Sequence, residues 1–178
     1  MAEPVSDNRS YVIVDTNVFQ NFANTEIAEH ILDHMKEAID AGYSLSISEF
    51  TLFETIDGAT TKKERERLEA IGSLKRFRVN KSTLFTAAHL GCLYQDDKHT
   101  ISDVGDKIIA ATALLTNSMI YTFNARDFPV PFFTIEAERV VRYKNNGVGS
   151  FLACHFIKPN TQLILEKYKY RMNTLKKK

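Results

Sequence analysis

Hydrophobic positions along the chain switch between two periods. Tyr11, Val12, Ile13 and Val14 form an unbroken apolar run of high strand propensity that ends at Asp15, the pattern of a strand buried on both faces and meeting its first loop at an acid. The following NVFQNFA reads as a short helix or turn. Ile27, Ile31, Met35, Ala38 and Ile39 then recur at helical spacing. With Asn24 and Thr25 as capping types, Glu26 in the first turn and Gly42 as a stop, they predict a helix from about Glu26 to Ala41. Tyr43 to Ser48 alternates as a second strand. EFTLFETIDG, starting at Glu49, puts Phe50, Leu52, Phe53 and Ile56 on the apolar side of a helix, with Glu54 at its border. Lys62 to Leu74 reads as a charged, solvated helix.

Further along, Phe77 to Asn80 predicts a short third strand, followed by a helix capped at Ser82 that buries Leu84, Phe85, Ala88 and Leu93. Gln95 to Thr100 is a polar loop in which Asp96 and Asp97 are solvated acids. Asp103 caps a helix whose face of Val104, Ile108, Ala111 and Leu115 keeps helical spacing, while Ala110 and Ala113 permit close approach to a sheet. Met119 to Phe123 is the next strand, and Asn124 and Asp127 fall at its carboxyl end as Asp15 does at the end of the first. Beyond Pro129 and Pro131, FFTIEAERVVRY, a turn at NNGVGS and FLACHFI predict peripheral strands or a strand and a helix.

Composition narrows the class. A chain of 178 residues with 44% hydrophobic and 25% charged residues is an ordinary globular protein, long enough to bury a core in one domain. The N-terminal MAEPVSDNRS has no apolar signal region, and the run from Ile108 to Leu115 is too short to span a bilayer; the expectation is a soluble, cytoplasmic protein without membrane contact. Cys92 and Cys154 read as reduced, buried thiols. His30 and His34, four apart, read as a solvated or half-buried pair rather than a zinc site. Charge is uneven: 13 basic and 19 acidic residues through Phe128 give −6, and 10 basic and 3 acidic from Pro129 give +7. An acidic part able to hold a cation thus precedes a basic part able to meet a polyanion. The tail from Lys167 interleaves bases with Tyr168 and Tyr170, a pattern suited to nucleic acid.

The acids at strand ends or helix starts are Asp15, Glu54, Asp106 and Asp127, separated by 39, 52 and 21 residues, so only the fold can gather them. Asp103 lies on the same face as Asp106 in the first helical turn, where the two also resemble a capping box with no chemical role. Carboxylates brought together repel unless a cation neutralises them, and hard oxygen ligands favour Mg²⁺ or Mn²⁺.

The segments VIVDTNVF, ISEFTLFE and DKIIAATALLTNSMIYTFNARDF resemble, in order and approximate spacing, the PIN-domain nucleases, the family that includes VapC-type toxins. They span Val12 to Phe128. The resemblance implies an α/β fold, a three-layer α/β/α sandwich with a central parallel sheet. It divides the chain into a nuclease domain at 1–128 and a C-terminal extension at 129–178 packed on the same domain with a basic tail. It further implies a metal-dependent ribonuclease in which Asp15, Glu54 and Asp106 match the first three family acids. Asp127 or Asn124 takes the fourth place. Asp103 is auxiliary, and Asn17 and Thr122 are polar neighbours able to orient water or phosphate. RNA is the implied substrate; an antitoxin protein and a homodimer are the implied partners. Two alternatives stand beside it: a non-catalytic PIN-like module that binds RNA or assembles with partners, and a haloacid-dehalogenase-type phosphatase, which requires a second Asp where Asn17 stands.

Overall fold

Strand β1 (Ser10–Val14) is the axis of the molecule. Val12, Ile13 and Val14 expose nothing, a degree of burial that stabilises by about 1.5–3 kcal/mol per side chain. Successive side chains point to opposite faces, so Ile13 joins one core with Ile120 and Ile157, while Val12 and Val14 join another with Ile47, Tyr121 and Phe156. The computed structural model describes residues 9–57, 59–94, 101 and 103–175. The loop expected at Gln95 to Thr100, with Asp96 and Asp97, lies outside the described residues, as do the final lysines of the basic tail.

β1 pairs in parallel with β2 (Tyr43–Ser48) on one side and β4 (Met119–Thr122) on the other, and β2 pairs in parallel with β3 (Lys75–Phe77). The C-terminal part adds an antiparallel hairpin, β5 (Phe133–Asn145) and β6 (Val148–Pro159), through pairing of β6 with β4. The sheet order is β3-β2-β1-β4-β6-β5, four parallel strands with an antiparallel margin. Helices α1 (Thr16–Gln20) and α2 (Thr25–Asp40) cover one face. Helices α5 (Lys81–Leu93) and α6 (Val104–Thr116) cover the other, joined by Ile164 of α7 (Thr161–Leu175). This is the α/β/α sandwich that the resemblance implied. No helix among the described residues is long and apolar enough to cross a membrane.

Several local expectations need correction. β3 begins two residues earlier than the FRVN segment, and Asn80, not Ser82, caps α5, accepting from the Thr83 N–H. That shift rotates the helix: Thr83, Ala87, Leu90 and Leu93 face the core, and Leu84, Phe85 and Ala88 face outward. In α3 (Glu49–Asp57) Phe53 and Ile56 are exposed and Thr51 and Thr55 are buried, because this helix docks by its side on α1 and α6. Val104 and Leu115 at the ends of α6 are exposed, whereas its middle, Ile108 to Ala113, is enclosed all round. Tyr168 of α7 packs edge-on against His89 of α5, 4.9 Å between ring centroids, so this tail aromatic has a structural task. His34 is buried, with Nδ1 3.0 Å from the Tyr121 hydroxyl and 3.4 Å from Cys154 Sγ; burial lowers its pKa and keeps it neutral.

Candidate active site

Because β1, β2 and β4 run in parallel, their carboxyl ends share one edge, and in open α/β sheets that edge forms the ligand crevice. Asp15 leaves β1 there, its backbone N–H donating to Tyr121 O at 3.0 Å. The turn into α1 follows, and Asp15 is its N-cap. Glu54 arrives on α3, directly after β2. Asp103 caps α6, accepting from the Gly105 N–H at 2.7 Å, and Asp106 stands in its first turn. Asp127 ends a short 3₁₀ turn, Ala125–Asp127, just past β4.

The Asp15 carboxylate is nearly enclosed and both its oxygens accept hydrogen bonds. Oδ1 accepts from the Thr16 N–H at 2.6 Å; Oδ2 accepts from Asn17 Nδ2 and Thr122 Oγ1, each at 2.7 Å. Asn17 also donates to Thr122 Oγ1 at 2.9 Å and accepts from the Phe123 N–H at 3.0 Å. Its amide therefore ties the β1 loop to β4, and its role at the site is positional. Hydrogen bonds to a carboxylate ordinarily lower its pKa, yet burial outweighs them: Asp15 is pushed up to about 6, with Asp127 and Glu54 adding like-charge repulsion. Asp106 is pushed up to about 7, first by burial and then by Asp127, Asp15, Asp103 and Glu54. Asp127 is raised by burial and by Asp103. Five acids thus feel one another across a single edge, as charges do only at short range.

They do not yet close on a point. Among the described residues no three Asp, Glu, His or Cys side chains are grouped tightly enough to hold one metal ion. Three of the acids are held by local donors. Thr16 Oγ1 donates to Glu54 Oε2 at 2.6 Å, Asn124 Nδ2 donates to Asp127 Oδ2 at 2.6 Å, and the Gly105 N–H holds Asp103. Each bond occupies one carboxylate oxygen and leaves its mate. The donor chemistry, all hard oxygen from groups that resist ionising together, fits a divalent cation of the Mg²⁺ type.

Sequence reasoning passed over three residues. Thr16, beside Asp15, positions Glu54. His155, opposite Thr122 in the β4–β6 register, is 9% exposed, with Nδ1 3.5 Å from a Glu138 carboxylate oxygen and without a hydrogen bond; no pattern near Thr122 announces a residue 33 positions later. Gly105 is the third. A Cβ there would lie 2.7 Å from the Phe50 ring and 2.9 Å from Glu54 Oε1, so a side chain at this point would push both aside where α6 meets α3. Gly105→Ala is expected to destabilise by about 1–3 kcal/mol, as overpacking usually does, and to displace Glu54. Thermal unfolding together with nuclease assays checks this; a variant equal to wild type in both would mean that the helix approach is loose.

A model of the PIN domain family matches residues 12–130, more than half of the 178-residue chain, and that span contains Asp15, Glu54, Asp106 and Asp127. No curated protein matches the sequence. Among solved structures the chain is similar to one from Rickettsia felis, in the crystal structure of VapBC2 bound to a DNA fragment from their promoter, with 17% identity over 66% of this chain and 90% of that one and a TM-score of 0.56. With a sandwich of this topology, acids at one sheet edge and a family match across both, the chain belongs to the PIN-domain family.

Proposed function

We propose that the protein is a Mg²⁺- or Mn²⁺-dependent endoribonuclease whose ligands are Asp15, Glu54, Asp106 and Asp127. The observation that carries this reading is the gathering of Asp15, Glu54, Asp106 and Asp127 at the carboxyl edge of the parallel strands, where burial first and neighbouring carboxylates second raise Asp15 and Asp106. The chemistry that such an ion supplies when bound is activation of water and neutralisation of charge on a phosphodiester. The chain's own residues do the rest. Thr16, Asn17 and Thr122 hold Asp15 and Glu54 in place. Asn124 orients Asp127 from the solvent side, and Asp103 adds negative potential beside Asp106.

Asp127, rather than Asn124, takes the fourth place, because Asn124 serves as its donor. The likeness to VapBC2 supports a further step, that the protein is the toxin of a toxin–antitoxin pair, working in the cytoplasm with an antitoxin protein as its partner. The test is incubation of the purified protein with single-stranded RNA and either Mg²⁺, Mn²⁺ or a chelator. Cleavage that needs the metal and leaves 3′-hydroxyl ends, the product of attack by water instead of the ribose 2′-hydroxyl, is expected. RNA bound but intact with either metal would favour a non-catalytic binding module.

A further inference from the structure

The β5–β6 hairpin lies beyond the residues matched by the PIN model, and most of it projects past the catalytic edge. β4 ends at Thr122, opposite His155 of the antiparallel β6, so residues 148–154 of β6 run outward beyond the carboxyl ends of the parallel strands with β5 as their only sheet neighbour among the described residues. Side chains alternate along this hairpin. Val141, Leu152 and Cys154 face α2 and its core. The opposite face, the one carrying His155 beside Thr122, continues outward as Val140, then Arg142 directly opposite Phe151, then Lys144 opposite Gly149.

That outer face has an unusual composition for a free surface. Phe151 is 75% exposed and Val140 51% exposed. Outward of Glu138, which stands opposite His155 at its base, this face carries two bases, Arg142 and Lys144, and no further acid. It is also held rigidly. The tip turns on Asn146 and Gly147 at φ 51° and 81°, the left-handed pair that a tight two-residue turn requires. The Lys144 N–H donates to the Glu26 carboxylate at 2.6 Å, and Arg139 bonds Glu37 at 3.2 Å, so two points of α2 brace it.

We propose that this face is a landing platform for the single-stranded RNA substrate, with Phe151 stacking on an unpaired base and Arg142 and Lys144 contacting phosphates. The inference rests on the ribonuclease reading for the strand's destination, and on the hairpin alone for its contacts. Opposite residues in such a pair have Cβ atoms about 4.5–5.5 Å apart, which sets a cation beside the exposed ring. This is the combination that sequence-tolerant single-strand sites use. Phe151 stands four residues beyond His155, roughly 13 Å along the strand, a span of a few nucleotides from the acids. Duplex RNA hides its base faces and fits the ring poorly.

The test is binding of a labelled oligouridylate of roughly 12 nucleotides by the full chain carrying Asp15→Asn, so that cleavage does not interfere, followed by fluorescence anisotropy over a range of salt. Adding Phe151→Ala is expected to weaken binding by about 10-fold. Adding Arg142→Ala with Lys144→Ala is expected to weaken it further and to lower the salt slope by about 0.7 for each lost phosphate contact. Circular dichroism confirms folding, and Phe151→Leu, which keeps bulk without the aromatic face, covers the case in which alanine disturbs the hairpin. Affinity and salt slope unchanged in these variants, no binding by the parent, or equal preference for duplex would each overturn the platform, including the case in which the same substitutions instead weaken capture of an acidic protein partner. Failure of the nuclease reading shows separately, as wild-type protein that leaves RNA intact with metal present.

Discussion

Replacing Asp15 by Asn is expected to abolish the proposed metal-dependent RNA cleavage while the protein stays folded. The expected loss is at least about 100-fold, the scale on which one electrostatic group at a reaction centre is usually worth. The fold survives because asparagine is as good an N-cap as aspartate, and its side-chain oxygen can still accept from the Thr16 N–H that Asp15 Oδ1 now engages. Removing the charge also relieves a burial cost: Asp15 ionises only with difficulty, its carboxyl pushed up to about 6 chiefly by desolvation. The relieved burial cost offsets the hydrogen bonds from Asn17 and Thr122 that the new amide no longer accepts, so the variant should stay folded near neutral pH, and the separation of activity from folding is the diagnostic feature. A folded variant that cleaves at the wild-type rate would remove Asp15 from the reaction. A variant that unfolds would make its three hydrogen bonds the reason for its presence.

Divalent metal should stabilise the protein strongly near neutral pH and weakly in acid. Asp15 and Asp106 hold their protons to about 6 and about 7 in the folded state, against about 3.9 for an unperturbed Asp in the unfolded chain. Between those values the native state binds more protons than the unfolded one, so stability falls as pH rises from about 4 to about 7, and the full penalty remains above that window. A cation that binds ionised carboxylates offsets this penalty where it exists. At a concentration about 100 times its dissociation constant it adds about 2.7 kcal/mol. For a chain of this size that raises the melting temperature by about 5–10 °C. Near pH 5 protons already neutralise much of the cluster, and the shift should shrink to a small fraction. Melting curves with Mg²⁺, Mn²⁺ and chelator at the two pH values read this directly. Equal shifts at both, or none at either, would separate the acids from metal binding.

The strands that carry the site were readable because they are buried on both faces. The run Tyr11 to Val14 and the run ending at Thr122 have no solvent side, so their apolar patterns are continuous and each ends in a polar residue at a fixed place. Helix faces were harder to read. In α5 a single capping decision, Asn80 or Ser82, sets which residues turn inward, and the apolar Leu84 and Phe85 masked the inward set led by Thr83. In α3 the small hydroxyl residues Thr51 and Thr55 are the buried ones, because the helix is pressed sideways into α1 and α6, where bulk does not fit. The acids themselves followed from strand ends and helix starts, which are local signals. Their supports did not: Thr16 reaches Glu54 38 positions away, and His155 arrives through antiparallel pairing that β4 gives no sign of.

The two margins of the sheet have opposite characters. β3 is a stub of three residues that begins with Lys75 and Arg76, short and cationic enough to discourage a neighbouring chain from adding a strand. β5, at the far margin, is thirteen residues long and would be the natural docking rail for foreign β-structure. Its Lys144 amide is already satisfied by Glu26, and its Ile135–Ala137 irregularity interrupts the ladder. The two ends of the sheet thus carry opposite guards against strand addition, brevity at one and a helix-borne carboxylate with a broken register at the other.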